Sequence, residues 1–249
     1  MSIWAIADLH LSFGVPGKEM DVFGERWVNH TQRVEQHWRA KVKPDDLVLL
    51  AGDISWAKKI EDAAPDLEWI HHLPGTKVMI RGNHDYWWKS LKKIRALMPP
   101  SIHVVQNNVF NWNDVSVAGC RMWDTNEYNY DPYVDYVKTN VTTKPFTDNE
   151  HIEEAEKIFE RDLLRLEMSL KCLDQKARLK IAMIHYPPIG PDLKPSRVST
   201  LLSKYNVNVC VFGHIHNVKL GSLPMGTAEG VTYYLTACDY INCDPILIE

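Results

Sequence analysis

Five short polar fragments carry the residue types from which a metal-dependent site is built: Asp8-Leu9-His10, Gly52-Asp53, Gly82-Asn83-His84-Asp85, His185, and Gly213-His214-Ile215-His216. Imidazole nitrogens combined with carboxylate and amide oxygens suit divalent first-row ions such as Mn, Fe, Zn or Ni. On an extended segment, side chains at i and i+2 point the same way, so Asp8 with His10, and His214 with His216, are expected to aim paired donors at one point. Gly52, Gly82 and Gly213 are expected to permit tight turns that bring the following side chain inward. The five cysteines, Cys120, Cys172, Cys210, Cys238 and Cys243, include no Cys-x-x-Cys pair, so neither a thiolate metal site nor a redox motif is expected.

Each fragment by itself has an ordinary reading. Gly-Asp is a common turn dipeptide, and one histidine after a strand is more often structural than ligating. Their order and placement give them joint meaning, because each stands where an expected strand ends, and sites in α/β sheets lie beyond the carboxyl ends of strands. The other histidines, His30, His37, His71, His72, His103 and His151, fall in expected helices or away from these ends and are read as structural.

The elements that must hold these fragments follow from hydrophobic periodicity. Ile3–Ala7, Leu47–Leu50 and Val78–Ile80 read as buried strands, alternating with helical spacing over Glu25–Val42, Glu61–Leu73 and Tyr86–Leu97. That alternation predicts a parallel sheet with crossover helices. Ile102–Val105, Val109–Trp112 and Val115–Gly119 are close-set strands separated by Asn107-Asn108 and Asn113-Asp114, which predicts an antiparallel meander. A Tyr-, Asp-, Asn- and Thr-rich stretch near 124–149 is long for a loop inside a domain and is read as a cap or insertion. A charged helix is expected from Asn149 to Cys172, then strand Lys180–Ile184, helix Ser196–Lys204, strand Asn208–Phe212, and strands near Val231–Thr236 and Ile246–Ile248.

A chain of 249 residues, 45% of them hydrophobic, can bury a large core as one domain spanning 1–249. A formal charge of -4 gives no global basic excess, which disfavours nucleic acid as a partner and an anionic membrane as a surface. No apolar run approaches a membrane span, and Ser2–Ala7 lacks a basic leader region. Reduced thiols and a cytoplasmic location are therefore expected, with the oligomeric state left open.

The ordered pattern Asp-x-His, Gly-Asp, Gly-Asn-His-Asp, a later His, and Gly-His-x-His, running from residue 8 to 216, resembles the calcineurin-like metallophosphoesterase superfamily. The resemblance implies an α/β fold, a four-layer sandwich of two mixed β-sheets flanked by α-helices. It implies two divalent ions, Mn favoured. Asp8, His10, Asp53 and His216 would hold the first, and Asp53 would bridge to a second completed by Asn83, His185 and His214. His84 would not ligate; it would stand beside the substrate as proton donor to the leaving oxygen. The reaction implied is hydrolysis of a small-molecule phosphomonoester or phosphodiester by attack of a metal-bridging hydroxide. The alternatives are a non-catalytic scaffold that keeps the fold, or a nuclease, the latter without a basic stripe to support it.

Departures narrow the subfamily. The protein Ser/Thr phosphatases extend Gly-Asp into Gly-Asp-x-x-Asp-Arg-Gly, whereas this chain reads Gly52-Asp53-Ile54-Ser55-Trp56-Ala57-Lys58. Another group must then orient His84. The UDP-diacylglucosamine pyrophosphatases share an opening like Ile6-Ala7-Asp8-Leu9-His10-Leu11 but carry Arg in place of His84. The retained motifs look more like the broad bacterial phosphodiesterase and phosphohydrolase groups. For substrate contacts, Arg121 after an expected strand is a candidate phosphate ligand. Tyr128, Tyr130, Tyr133 and Tyr136 are candidates to stack on a base or line a cap.

Overall fold

A computed structural model describes residues 1–135 and 149–249. Its first half builds one sheet. Strands β1 (Ile3–Ile6), β2 (Leu47–Leu50), β3 (Thr76–Met79) and β4 (Ile102–Val104) run parallel in that order. Helices α1 (His30–Lys41), α2 (Ile60–His71) and α3 (Leu91–Leu97) form the crossovers. All four residues of β2, Leu-Val-Leu-Leu, are buried, as a parallel strand covered on both faces requires.

The second half builds the other sheet from β5 (Phe110–Trp112), β6 (Val115–Cys120), β7 (Leu179–Ile184), β8 (Val209–Phe212), β9 (Thr227–Ala228) and β10 (Val231–Leu235). Strands β6, β7, β8 and β10 are mutually parallel, with β5 and β9 antiparallel at the edges. Helices α4 (Asn149–Lys171) and α5 (Arg197–Lys204) belong to this half, and β11 (Ile246–Leu247) returns to pair antiparallel with β1.

Alternation of side chains explains the layers. Ile3, Ala5, Leu47, Leu49 and Val78 meet Val115, Val117, Ile181, Met183 and Val211 between the sheets. Ile6, Val48, Leu50 and Met79 face outward onto Val34, Trp38, Leu67 and Ile70 of α1 and α2. Ala118, Ala182, Ile184 and Phe212 face Phe159, Leu166, Val198 and Leu202 of α4 and α5. The result is the expected helix–sheet–sheet–helix sandwich of two mixed sheets.

Three local expectations are corrected. The meander over residues 102–119 does not form: β4 adds to the first sheet parallel to β3, and only β5 and β6 make a hairpin, turning on Asn113-Asp114 with Asn113 in the left-handed region. The helix expected over Tyr86–Leu97 begins only at Leu91, because Asp85 captures the Trp87 Nε1–H and its carbonyl accepts the Trp88 N–H. The helix expected from Glu25 is interrupted at Asn29, whose φ of 51° ends a 3-10 turn before α1 begins. Among the described residues, no helix is long and apolar enough to cross a membrane.

Candidate metal centre

The loop after β1 and the loop after β2 run side by side. Asp8 N–H donates to the Gly52 carbonyl, His10 N–H to Asp53 and Leu11 N–H to Ile54, at 2.9, 3.0 and 2.9 Å. The sequence-based picture of Asp8 and His10 on an extended segment is replaced here. Asp8, His10 and Asp53 all occupy the left-handed region, with φ of 58°, 45° and 52°, as does His214 at 73°. Such backbone is uncommon outside glycine and turn residues, and it persists where surrounding structure over-determines it. Two glycines matter for close approach rather than for turning. A Cβ on Gly82 would lie 2.1 Å from Asp53 Oδ1, and one on Gly213 would lie 2.2 Å from Asp8 Oδ2.

Buried carboxylates hold these loops. Asp85 accepts the N–H groups of Ile54, Ser55 and Gly82 and the Trp87 indole N–H, at 2.7 to 3.1 Å. Asp66 on α2 accepts Phe13 N–H at 2.8 Å and the Ser55 hydroxyl. His30, read as structural, points Nε2 at the Leu9 carbonyl at 3.0 Å and braces the segment between Asp8 and His10.

All seven expected ligands converge. Asp53 Oδ2 lies 3.6 Å from His10 Nε2 and 3.5 Å from His185 Nε2. Asn83 Oδ1 lies 2.6 Å from His185 Nε2 and 3.0 Å from His214 Nδ1. His216 Nε2 lies 3.4 Å from His10 Nε2 and 3.7 Å from Asp8 Oδ1. Donor atoms of Asp8, His10 and His216 all fall within 4.8 Å of one another, as do those of Asp8, Asp53 and His185.

Proton accounting tests whether these residues fit metal ions. His185 Nδ1 faces the Ala51 carbonyl at 3.0 Å, which can only accept, so that nitrogen carries the proton. Its Nε2 faces the acceptors Asp53 Oδ2 and Asn83 Oδ1; burial lowers this imidazole, but Asp53 and Asp8 outweigh it and raise it to about 9, so Nε2 needs a proton or a metal cation between it and the carboxylate. His216 Nδ1 donates to Asp239 Oδ1 at 2.8 Å, leaving its Nε2 lone pair toward His10 and Asp8. Asp53 Oδ2 is buried and makes no hydrogen bond. Acceptors facing acceptors in a buried site are costly unless a proton or a metal cation lies between them, and a metal displaces the proton when it binds. The donor set therefore fits divalent metal ions, with Asp8 common to the two candidate groups. Burial holds His10 at about 3, in the neutral form that ligates, and pushes His214 well below its usual range. Burial lowers His216 as well, but the carboxylates of Asp239, Asp8 and Asp53 together outweigh it and raise the imidazole to about 9.

His84 stands beside this cluster. Its N–H donates to Asp53 Oδ1 at 2.8 Å, and its ring lies 4.5 Å from the Trp56 ring and 5.6 Å from His10. Its Nδ1 is buried and unpartnered. Trp56 also stacks on His10 at 4.8 Å, and Trp27 packs edge-on against His10 and His216 at 5.8 and 5.4 Å. Thus Trp56, which replaces the protein-phosphatase carboxylate, is what touches the His84 ring.

The described part of the expected cap, 124–135, forms one wall of the site. Asp135 N–H donates to Asn217 and Lys219 N–H to Tyr133, just beyond His216. The Tyr128 and Tyr130 hydroxyls donate to the Pro187 and Ile189 carbonyls, just beyond His185. Together with Trp123 they line a cavity of about 530 Å³ that reaches His214 and His216. Tyr136 and the remainder of the expected cap lie outside the described residues. Arg121 is placed elsewhere: its Nη2 lies 3.0 Å from Asp162, its guanidinium sits over Trp123 at 4.5 Å, and the cavity it lines contains none of the seven candidate ligands. Sequence reasoning missed Asp239, although it too follows a strand end, that of β10. It also left Asp85 without a role inside a fragment already singled out.

The model of the calcineurin-like phosphoesterase family matches residues 1–218. The gene 66 protein of Mycobacterium phage D29 is 30% identical over 84 residues, which cover 34% of this chain and 40% of the phage protein. Among solved structures, the phosphopantetheinyl hydrolase PptH of Mycobacterium tuberculosis is similar over 95% of this chain and 88% of its own, with a TM-score of 0.52 at 15% identity. The calcineurin-like phosphoesterase YfkN of Bacillus subtilis is similar over 96% and 82%, with a TM-score of 0.49 at 14% identity. At 15% identity the PptH likeness speaks for the fold alone, and the family match speaks for family membership. With its strand-end donors gathered into one buried cluster and its family model matched from the first residue past His216, the chain belongs to the calcineurin-like phosphoesterase family.

Proposed function

We propose that this chain hydrolyses a small-molecule phosphomonoester or phosphodiester at a dinuclear centre. The observation that carries the reading is Asp53 Oδ2, buried without a hydrogen bond and facing both His10 Nε2 and His185 Nε2 at 3.6 and 3.5 Å. Asp8, His10, Asp53 and His216 would hold one ion, and Asp53, Asn83, His185 and His214 the other. Two divalent ions there, Mn favoured over Fe, Zn or Ni, would supply Lewis-acid charge to the phosphoryl group and lower the pKa of a bound water.

The chain's own residues account for the remaining requirements. His84 is held by its backbone N–H on Asp53 and its ring against Trp56, which leaves the imidazole to serve as proton donor to the leaving oxygen. Burial lowers its pKa, with Asp53 opposing. The cavity walled by Trp123, Tyr128 and Tyr130 accepts the leaving group through apolar and aromatic surface. The phenol hydroxyls are spent on backbone carbonyls, so ring faces rather than hydroxyls meet the ligand.

The test uses purified chain stripped with chelator and reloaded with Mn²⁺, assayed on p-nitrophenyl phosphate, bis-p-nitrophenyl phosphate and a panel of natural phosphoesters. Turnover that needs metal, with two ions bound per chain, is expected. Two bound ions without turnover of any phosphoester would turn the reading to a scaffold that keeps the fold.

A further inference from the structure

A second concentration of charge lies away from the histidines. The carboxylate of Asp162, on α4 and only 2% exposed, accepts from three arginines. Its Oδ1 takes Arg161 Nε at 3.1 Å and Arg165 Nη1 at 2.9 Å, and its Oδ2 takes Arg121 Nη2 at 3.0 Å. These residues and Arg81 line one cavity of about 270 Å³, enclosed on its other sides by Gln106, Asn107 and Gly119. Four guanidiniums against one carboxylate leave a formal excess of three positive charges around a small space, in a chain whose overall charge is -4.

An ion-pair network that served only to hold α4 on the sheet would need one arginine for this carboxylate, not three, with a fourth, Arg81, beside them. Each guanidinium has five donors, and Asp162 uses a single one from each of its three partners. Arg81 Nε is buried without a hydrogen-bond partner. Arg121 is also clamped over the Trp123 ring at 4.5 Å. Fixing the guanidiniums on a central carboxylate removes the rotamer cost of gathering them around a ligand. Planar fork donors at high density suit a tetrahedral oxyanion.

The position is informative too. Arg81 and Arg121 follow the carboxyl ends of β3 and β6, at the edge of the sandwich where the candidate ligands emerge. Arg81 is two residues before Asn83. It also borders an adjoining groove with Lys58, Tyr86, Trp88 and Lys89, and Tyr86 meets the His84 ring at 6.1 Å.

We infer that the cavity among Arg81, Arg121, Arg161 and Arg165 is a second oxyanion site, separate from the metal centre, that binds a phosphate group. The group arrives either as free phosphate or as a non-reacting phosphate on a larger ligand. The two sources share the same chemistry.

The experiment titrates inorganic phosphate calorimetrically into the chain with chelator and with Mn²⁺. Saturable binding that persists in chelator is expected, weakening at least tenfold in the double variant Arg161→Gln, Arg165→Gln. Both positions are about half exposed on α4, so the variant should melt within a few degrees of wild type. Arg121→Gln, as a second variant, should weaken the same binding. No saturable binding in chelator, or binding unchanged in both folded variants, would overturn the inference whether or not the metal centre proves catalytic. Kinetics separates the sources: a KM that rises in the double variant for a nucleoside bisphosphate but not for p-nitrophenyl phosphate marks a substrate-borne group, and level KM values mark free phosphate.

Discussion

The two sheets bring different kinds of donor to the site and fix them differently. From the first come Asp8, Asp53 and Asn83 with a single candidate imidazole, His10; from the second come His185, His214 and His216. First-half donors are set by backbone, through left-handed loops laced together by N–H groups that Asp85 accepts. Two of the three second-half imidazoles are set by the proton on their far nitrogen, His185 on the Ala51 carbonyl and His216 on Asp239, while His214 shares the left-handed backbone of the first half. The carboxylates thus sit on loops laced by their own backbone, while His185 and His216 are aimed by partners that fix ring and tautomer. Damage to the first half should appear as lost structure or lost chemistry, and damage to the second as lost metal affinity.

His84 gives the sharpest version of that contrast, since it stands on the first-half frame without completing either donor set. His84→Ala should lower turnover by ~10²–10⁴-fold, the usual range for a general acid, with two ions still bound. Metal analysis showing an ion lost with the side chain would move His84 into the ligand set and erase its assigned role.

Asp85→Ala addresses the frame itself. It strands three backbone N–H groups and the Trp87 indole N–H in a buried loop. At ~1–3 kcal/mol for each buried donor left unsatisfied, partly recovered by water, a loss of ~3 kcal/mol or more is expected. Denaturant unfolding in chelator reads it. A stability within 1 kcal/mol of wild type, a threshold set by ordinary surface substitutions, would mean the loops do not depend on that carboxylate.

Asp239→Ala addresses the other half. Removing the acceptor of the His216 Nδ1 proton frees the ring to turn and to change tautomer. The Mn²⁺ concentration for half-maximal activity should rise ~10–100-fold, with kcat at saturating metal changed far less. An unchanged metal requirement would show that His216 is held by packing, with Trp27 at 5.4 Å the available contact.

Legibility followed the same division. The convergence of these seven side chains could be read because strand ends deliver them, in an order of imidazole and carboxylate that has few other uses. Their backbone could not be read. The pattern at Asp8-Leu9-His10 fits an extended segment, and only pairing with Gly52–Ile54, more than forty residues away, turns it left-handed. The sheet membership of β4 was hidden for a similar reason: three residues, Ile-His-Val, suit a hairpin or a crossover equally, and long-range pairing with β3 decides. Asp239 carries no flanking glycine or histidine, and its role exists only through His216. Arg121 could be picked out as a cation at a strand end, but its partner Asp162 lies 41 residues on, in α4.

The smallest effect tests how tightly α2 is tied to the first-half frame. Burial pushes the Asp66 carboxyl up to about 6, against the opposing hydrogen bonds from Ser55 and Phe13. The folded chain then keeps a proton that the unfolded chain releases near 3.8. Between these values the folded state binds more protons, so stability falls as pH rises, by at most ~1.4 kcal/mol per pH unit from this group, and levels off above about 6. Asp8 and Asp85 are raised in the same direction, so the informative quantity is the difference between wild type and Asp66→Asn. The amide can still accept from Phe13 N–H, and the Ser55 hydroxyl can turn to accept from it. Wild type minus variant should therefore decline from pH 4 to 6 in chelator-stripped unfolding curves and stay flat above. Parallel curves across that window would mean that Asp66 is ionised in the fold and that the Ser55 and Phe13 donors outweigh its burial.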